Sequence, residues 1–137
     1  MKIWTILIAS VGGNLGNFTC DVLVSKLNYL QTLDLSELNL SVMPHSIGEL
    51  KHLRYLDLSK SEDIEFLPNS ITKLLNLLML KLGGCRSLKE LPWGLKKLVN
   101  LRHLGVSNCV KLMHMPLGLG HLISLEILTS VFCEAKG

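Results

Sequence analysis

The residues most open to chemistry in this chain are its cysteines and histidines. Cys85, Cys109 and Cys133 recur at a constant interval of two dozen positions. Thiols so placed can hold a metal, pair as disulfides, or stand reduced as small buried groups with a weak S–H donor. No Cys-x-x-Cys occurs, so neither a zinc ribbon nor a thioredoxin-type motif is present. The constant interval makes the three positions equivalents of one another, which favours a structural column of reduced thiols. Cys20 lies outside the column and is assigned no role. His45, His52, His103, His114 and His121 do not form His-Glu-x-x-His or another ligand spacing. Gly-x-Ser-x-Gly is absent. The stretch from Gly12 to Gly16 lacks the Lys and the following helix signal of a phosphate-binding loop, and reads as a plain loop. The expectation is therefore a chain that is not an enzyme, with no catalytic, cofactor-binding or metal-ligating residues.

The elements that position these residues follow from the same interval. Pro44, Pro68, Pro92 and Pro116 are the chain's four prolines, and they keep that interval throughout. Ile47, Ile71, Leu95 and Leu119 keep the step, as do Leu50, Leu74, Leu98 and Leu122, and Met43, Leu67, Leu91 and Met115. A further column, Leu33, Leu56, Leu80, Leu104 and Leu128, opens with a step one shorter and then continues with the common one. The missing residue falls between Leu35 and Leu40, as an indel in a surface turn would. Each unit begins Leu-x-x-Leu-x-Leu, for example Leu53-Leu56-Leu58 and Leu77-Leu80-Leu82. The alternating part puts its leucines on one face of a short strand. Two dozen residues cannot bury that face alone, whereas stacked units bury it in a continuous ladder beneath a parallel sheet. Proline, with no N–H and a fixed φ, punctuates the return and stays out of the ladder.

Composition agrees with one small apolar unit used many times. Leu fills 32 of 137 positions, hydrophobic residues reach 48% and charged residues 18%, which excludes global disorder. A net charge of +3 does not argue for nucleic acid. No stretch approaches the ~18 uninterrupted apolar residues of a membrane span.

The period-2 rule names the residues opposite the ladder, on the expected concave face. They are Thr32, Asp34 and Ser36, then Tyr55, Asp57 and Ser59, then Met79, Lys81 and Gly83, then His103, Gly105 and Ser107, and last Ile127, Thr129 and Val131. Asp34, Tyr55, Asp57, Met79, Lys81 and His103 are the candidate protein-binding residues among them. The strip starts acidic and turns basic. Residues 34–65 carry a net charge of −4 and residues 81–111 carry +6, a polarity that would orient a charged partner. Lys89, Lys96 and Lys97 on the outer side read as an ordinary solvated face.

The pattern resembles a leucine-rich-repeat solenoid over residues 27 to 133. That implies an α/β fold: a curved parallel sheet of one short strand per turn of about two dozen residues, with irregular or short helical returns. The wording of the repeats is more specific. Leu88-Lys89-Glu90-Leu91-Pro92, Ile64-Glu65-Phe66-Leu67-Pro68, the strand-then-Cys segments Leu82 to Leu88 and Val106 to Leu112, and Leu53-Arg54-Tyr55-Leu56-Asp57-Leu58-Ser59 resemble the repeats of plant intracellular nucleotide-binding leucine-rich-repeat disease-resistance proteins. In that family the repeats take part in effector recognition and in holding the receptor inactive. The resemblance implies a cytoplasmic recognition module whose partner is a pathogen effector, a host protein or other domains of the same receptor. It implies no nucleic acid, membrane span or small-molecule substrate. The family's P-loop, Gly-x-x-x-x-Gly-Lys-[Ser/Thr], is absent, so nucleotide binding is not carried over. Intracellular Ras-group scaffolds share the Leu-Pro-x-x-Ile wording and form one alternative. A secreted or receptor-ectodomain binder forms another.

Residues 1–26 read as an irregular N-terminal turn and residues 27–137 as four full repeats with the start of a fifth. Ile3-Ile6-Ile8 fits a degenerate repeat strand. The competing reading is a signal peptide, with Met1-Lys2 ahead of an apolar run from Ile3 to Ala9. The sequon Asn17-Phe18-Thr19 matters only under secretion. Solenoids normally close with polar terminal units, and neither end has one, so the chain reads as part of something longer.

Overall fold

The computed structural model describes residues 5–7, 27–36, 38–122 and 125–128. Six three-residue strands form one parallel sheet: β1 (Thr5–Leu7), β2 (Thr32–Asp34), β3 (Tyr55–Asp57), β4 (Met79–Lys81), β5 (His103–Gly105) and β6 (Glu126–Leu128). Their order in the sheet is their order in the chain, one strand per turn. Ile6, Leu33, Leu56, Leu80 and Leu104 stand opposite one another across successive strands. Leu33, Leu56, Leu80 and Leu104 are at most 1% exposed, so each turn roofs the leucine of the next.

The returns are 3-10 helices: η1 (His45–Glu49), η2 (Asn69–Lys73), η3 (Trp93–Lys97) and η4 (Leu119–His121). The tighter coil follows from the spacing. Ile47 and Leu50, Ile71 and Leu74, and Leu95 and Leu98 are three apart, and at three residues per turn both members face the core. All six are buried. Pro44, Pro68 and Pro92 are extended just before each helix, and their carbonyls accept the first bond, from the N–H of Ile47, Ile71 and Leu95. Two exposed asparagines tie turn to turn. Asn76 Nδ2 donates to Lys51 O at 3.0 Å and Asn100 Nδ2 donates to Leu75 O at 2.9 Å.

One expectation needs correction. The repeat column predicts Leu128 opposite Leu104, with Ile127 on the open face. The sheet instead pairs Leu104 with Ile127 and His103 with Glu126. At β5 the carbonyl of Leu78 accepts from both Arg102 and His103, whereas at β6 Glu126 N–H bonds Arg102 O directly. The strand enters the ladder one residue early, and a one-residue slip exchanges its faces. Burial fixes register, and here it is weak, since Ile127 is 39% exposed.

Candidate protein-interaction face

The strand residues opposite the leucines form two rows on the open face of the sheet. Thr32, Tyr55, Met79, His103 and Glu126 make the first, and Asp34, Asp57, Lys81 and Gly105 make the second. Thr32, Tyr55, Met79, Lys81 and His103 are half-buried, held at the surface by the strands beside them.

The two aspartates are occupied by the fold. Asp34 Oδ1 accepts from Ser36 N–H and Asp57 Oδ1 from Ser59 N–H, each at 2.9 Å. These Asx turns carry the chain out of the strand, and the Asp-Leu-Ser wording of the first two turns encodes them. Asp57 is only 6% exposed, and its Oδ2 accepts the Tyr55 hydroxyl at 3.3 Å. Asp57 thus holds Tyr55 in place and keeps little surface of its own. Lys81 Nζ lies 6.0 Å from the Tyr55 ring centroid, a cation–π approach from the next strand. Partial burial and the Asp57 carboxylate push the Tyr55 hydroxyl above its usual pKa. The ring is rigid and amphipathic, with an apolar face and a polar tip. His103 Nδ1 lies 3.6 Å from Glu126 Oε2, a residue that the sequence columns miss because it enters this row only through the β6 slip.

The cysteines lie behind the sheet exit. Cys85 and Cys109 are buried and not disulfide-bonded, and their Sγ atoms donate to the carbonyls of Leu58 and Leu82 in the preceding turn, at 3.3 and 3.1 Å. Cys133, with Thr129 and Val131, lies outside the described residues. Burial pushes the Cys85 thiol up to about 11. Below the unfolded value of 9.0 both states hold the proton and the full stability is present. As pH climbs from about 9 to about 11 only the unfolded chain releases it, so stability falls. Thermal melts across that window should show a drop that is smaller in Cys85→Ala. Equal slopes would separate the thiol from the alkaline loss.

Ser61 occupies the position one repeat before Cys85, in the same column. It is fully buried, and its Oγ has no hydrogen-bond partner. An unsatisfied buried hydroxyl costs ~1–3 kcal/mol. Ser61→Ala should therefore stabilise the fold, by about 1 kcal/mol in urea unfolding. A loss of stability would mean that the hydroxyl is satisfied after all. The position was legible as a member of the cysteine column, though not as an orphaned group.

Other groups lie elsewhere. His45, His52 and His114 are exposed in the returns. A cleft of about 390 Å³ between η1 and η2 gathers His45, Glu49, Lys51 and Lys73 around Ser70, with both signs of charge. Lys89 bonds Glu65 at 3.0 Å and stands over the Phe66 ring at 5.6 Å, joining two turns. Among the described residues no group of three His, Cys, Asp or Glu is placed to hold a metal, and no helix is long and apolar enough to cross a membrane.

The geometry is that of a repeat scaffold presenting an ordered strip of side chains. No curated protein matches the chain. Among solved structures it is similar to a leucine-rich-repeat protein of Leptospira interrogans, with 37% identity and a TM-score of 0.65. That match covers 72% of this chain and 24% of the other, so this chain spans about a quarter of that protein's length. The family model described as "Leucine-rich repeat region" matches residues 25–136. With one buried leucine ladder, one strand and one return per turn, and that match over most of its length, the chain belongs to the leucine-rich repeat region family and is a protein-interaction module.

Proposed function

We propose that this module is the recognition segment of a plant intracellular disease-resistance receptor. It acts in the cytoplasm, in the defense response, by sensing an effector, by restraining the receptor, or both. It works by binding alone, without catalysis. The repeat wording from Leu53 to Ser59 and from Leu82 to Pro92 supports the family reading. The observation that carries the binding reading is the row Tyr55, Met79 and His103, in register on three adjacent strands and half-buried before any partner arrives. Aromatic residues and Met are enriched at interfaces, and a side chain already held loses less entropy on binding.

Two measurements test this. The first is the size of the endogenous product, by immunoblot against the segment from Leu112 to Leu122 with the transcript's 5′ end mapped alongside. A much larger product with an upstream nucleotide-binding module is expected. A product near 15.2 kDa would replace the receptor reading with that of a self-standing scaffold. The second uses that upstream module, expressed separately, as the binding probe. Tyr55→Ala with Lys81→Ala should weaken its capture at least about ten-fold while leaving the melt intact. Unchanged capture by a folded double variant would remove this row from the interface.

A further inference from the structure

From η2 onward the outer side of the returns carries side chains that the fold does not ask for. Trp93 opens η3 and is 69% exposed, and Leu117, one repeat later beside η4, is 74% exposed. The same position holds His45 and Asn69 in the first two returns, both exposed, so packing there accepts polar residues. Leu75 and Val99, just past η2 and η3, are exposed as well, where the first return has Lys51. Single exposed apolar residues are ordinary on a surface. These recur at two repeat positions in successive turns, which makes them neighbours.

Lysines stand among them. At three residues per turn Trp93 and Lys96 lie on one side of η3, and Lys97 is exposed beside them. A Cβ on Gly118 would stand 2.8 Å from Lys96 Cδ, so the Lys96 stem lies along the backbone next to Leu117. Among the described residues neither lysine has an ion-pair partner. Between Glu65 and Glu126 the sequence holds a single carboxylate, Glu90, which stands ahead of Pro92 in a bridge with Phe66. Glu49 lies back at η1, where it shares a cleft with Lys73. The positive charge at η3 and η4 thus belongs to this side's own residues. Lysines alone would make a solvated face, which has no use for an exposed indole. A protein interface is depleted of lysine at its centre. Lysine stems that carry their charge past exposed apolar side chains, with Trp among them, suit the headgroup layer of a bilayer.

We propose that the outer side of η3 and η4 docks on an anionic membrane surface. Trp93, Leu117 and Val99 sit at the boundary between headgroups and acyl chains, and Lys96 and Lys97 reach the lipid phosphates. The occupant follows from charge complementarity: the chain sets no carboxylate against these two lysines, and anionic lipid supplies one sign of charge over a broad surface. The open sheet face lies across the buried core and stays free for a protein partner.

The test uses the full chain and vesicles of two compositions, phosphatidylcholine alone and phosphatidylcholine with phosphatidylserine in equal parts. Trp4→Phe leaves Trp93 as the single tryptophan, so its emission reports the contact. The expected result is flotation with the phosphatidylserine vesicles only, weakened by added salt, with a blue shift of Trp93 and quenching by brominated acyl chains. Trp93→Ala with Leu117→Ala, and Lys96→Glu with Lys97→Glu, should each weaken partitioning at least about ten-fold at an unchanged melt. Arg86→Glu with Lys111→Glu makes the same change of net charge at exposed positions in the turns that leave β4 and β5, and should weaken it far less. Equal losses from the two charge reversals, or an unshifted Trp93 in the bound chain, would overturn the site. Absence of flotation would overturn it too, and capture of polyglutamate in its place would assign these lysines to an acidic protein. If a variant in η3 does not fold, quenching of Trp93 in the Trp4→Phe chain decides, since that chain keeps the whole face.

Discussion

Leu80→Ala is expected to cost ~2–5 kcal/mol of stability, the range for truncating a fully buried leucine. Leu80 is 0% exposed and stands between Leu56 and Leu104 in the central strands of the sheet. Its removal leaves a cavity bounded by neighbours on both sides. In a stack each turn touches only the next, so a defect in the middle weakens two interfaces together. Urea unfolding followed by circular dichroism should show the midpoint falling steeply. Leu75→Ala serves as the comparison, because Leu75 is 53% exposed and lies outside the buried cluster, so its change should stay within about 0.5 kcal/mol. Matching midpoints for the two variants would contradict the ladder.

Gly48→Val should be the most damaging change in the returns, at ~1–3 kcal/mol or above. A Cβ at Gly48 would stand 2.6 Å from the Ser70 carbonyl oxygen and 2.8 Å from Ser70 Cβ. The obstacle is backbone in the next turn, so no rotamer change relieves it, and η1 and η2 would have to separate. The contrast is Gly120, whose added Cβ meets nothing within 4 Å. Gly120→Ala should therefore leave the melting temperature almost unchanged. If Gly48→Val melts like the parent, the close approach of the first two returns is wrong.

The interaction face was only partly legible from the residue order. Alternation identified Tyr55, Met79, Lys81 and His103 as outward-facing, since that needs only the two-residue period of a strand. It did not reveal that the aspartates serve the turns, because a free carboxylate and one capping an N–H look alike in a string of letters. Nor did it reveal Glu126, which joins the row through a register slip that no column records. Asn76 and Asn100, one repeat apart, were available as a signal for the ties between turns. A recurring polar residue on the outside shows its function only once the carbonyl it reaches is known.

By itself the sequence determined the architecture. A fixed interval of leucines and prolines allows one solution to burying a two-dozen-residue unit: stack the units, align the strands, and leave proline in the return. Burial of a repeated apolar face is additive and local, so it can be read position by position. The tertiary structure alone decided the pressing of Gly48 on Ser70. It also decided the left-handed column at Lys60, Gly84 and Asn108 and the orphaned Ser61 hydroxyl. Each depends on what one turn places against the next, at distances of a few ångströms. Periodicity says which residues are neighbours, and only the packed chain says how closely they meet.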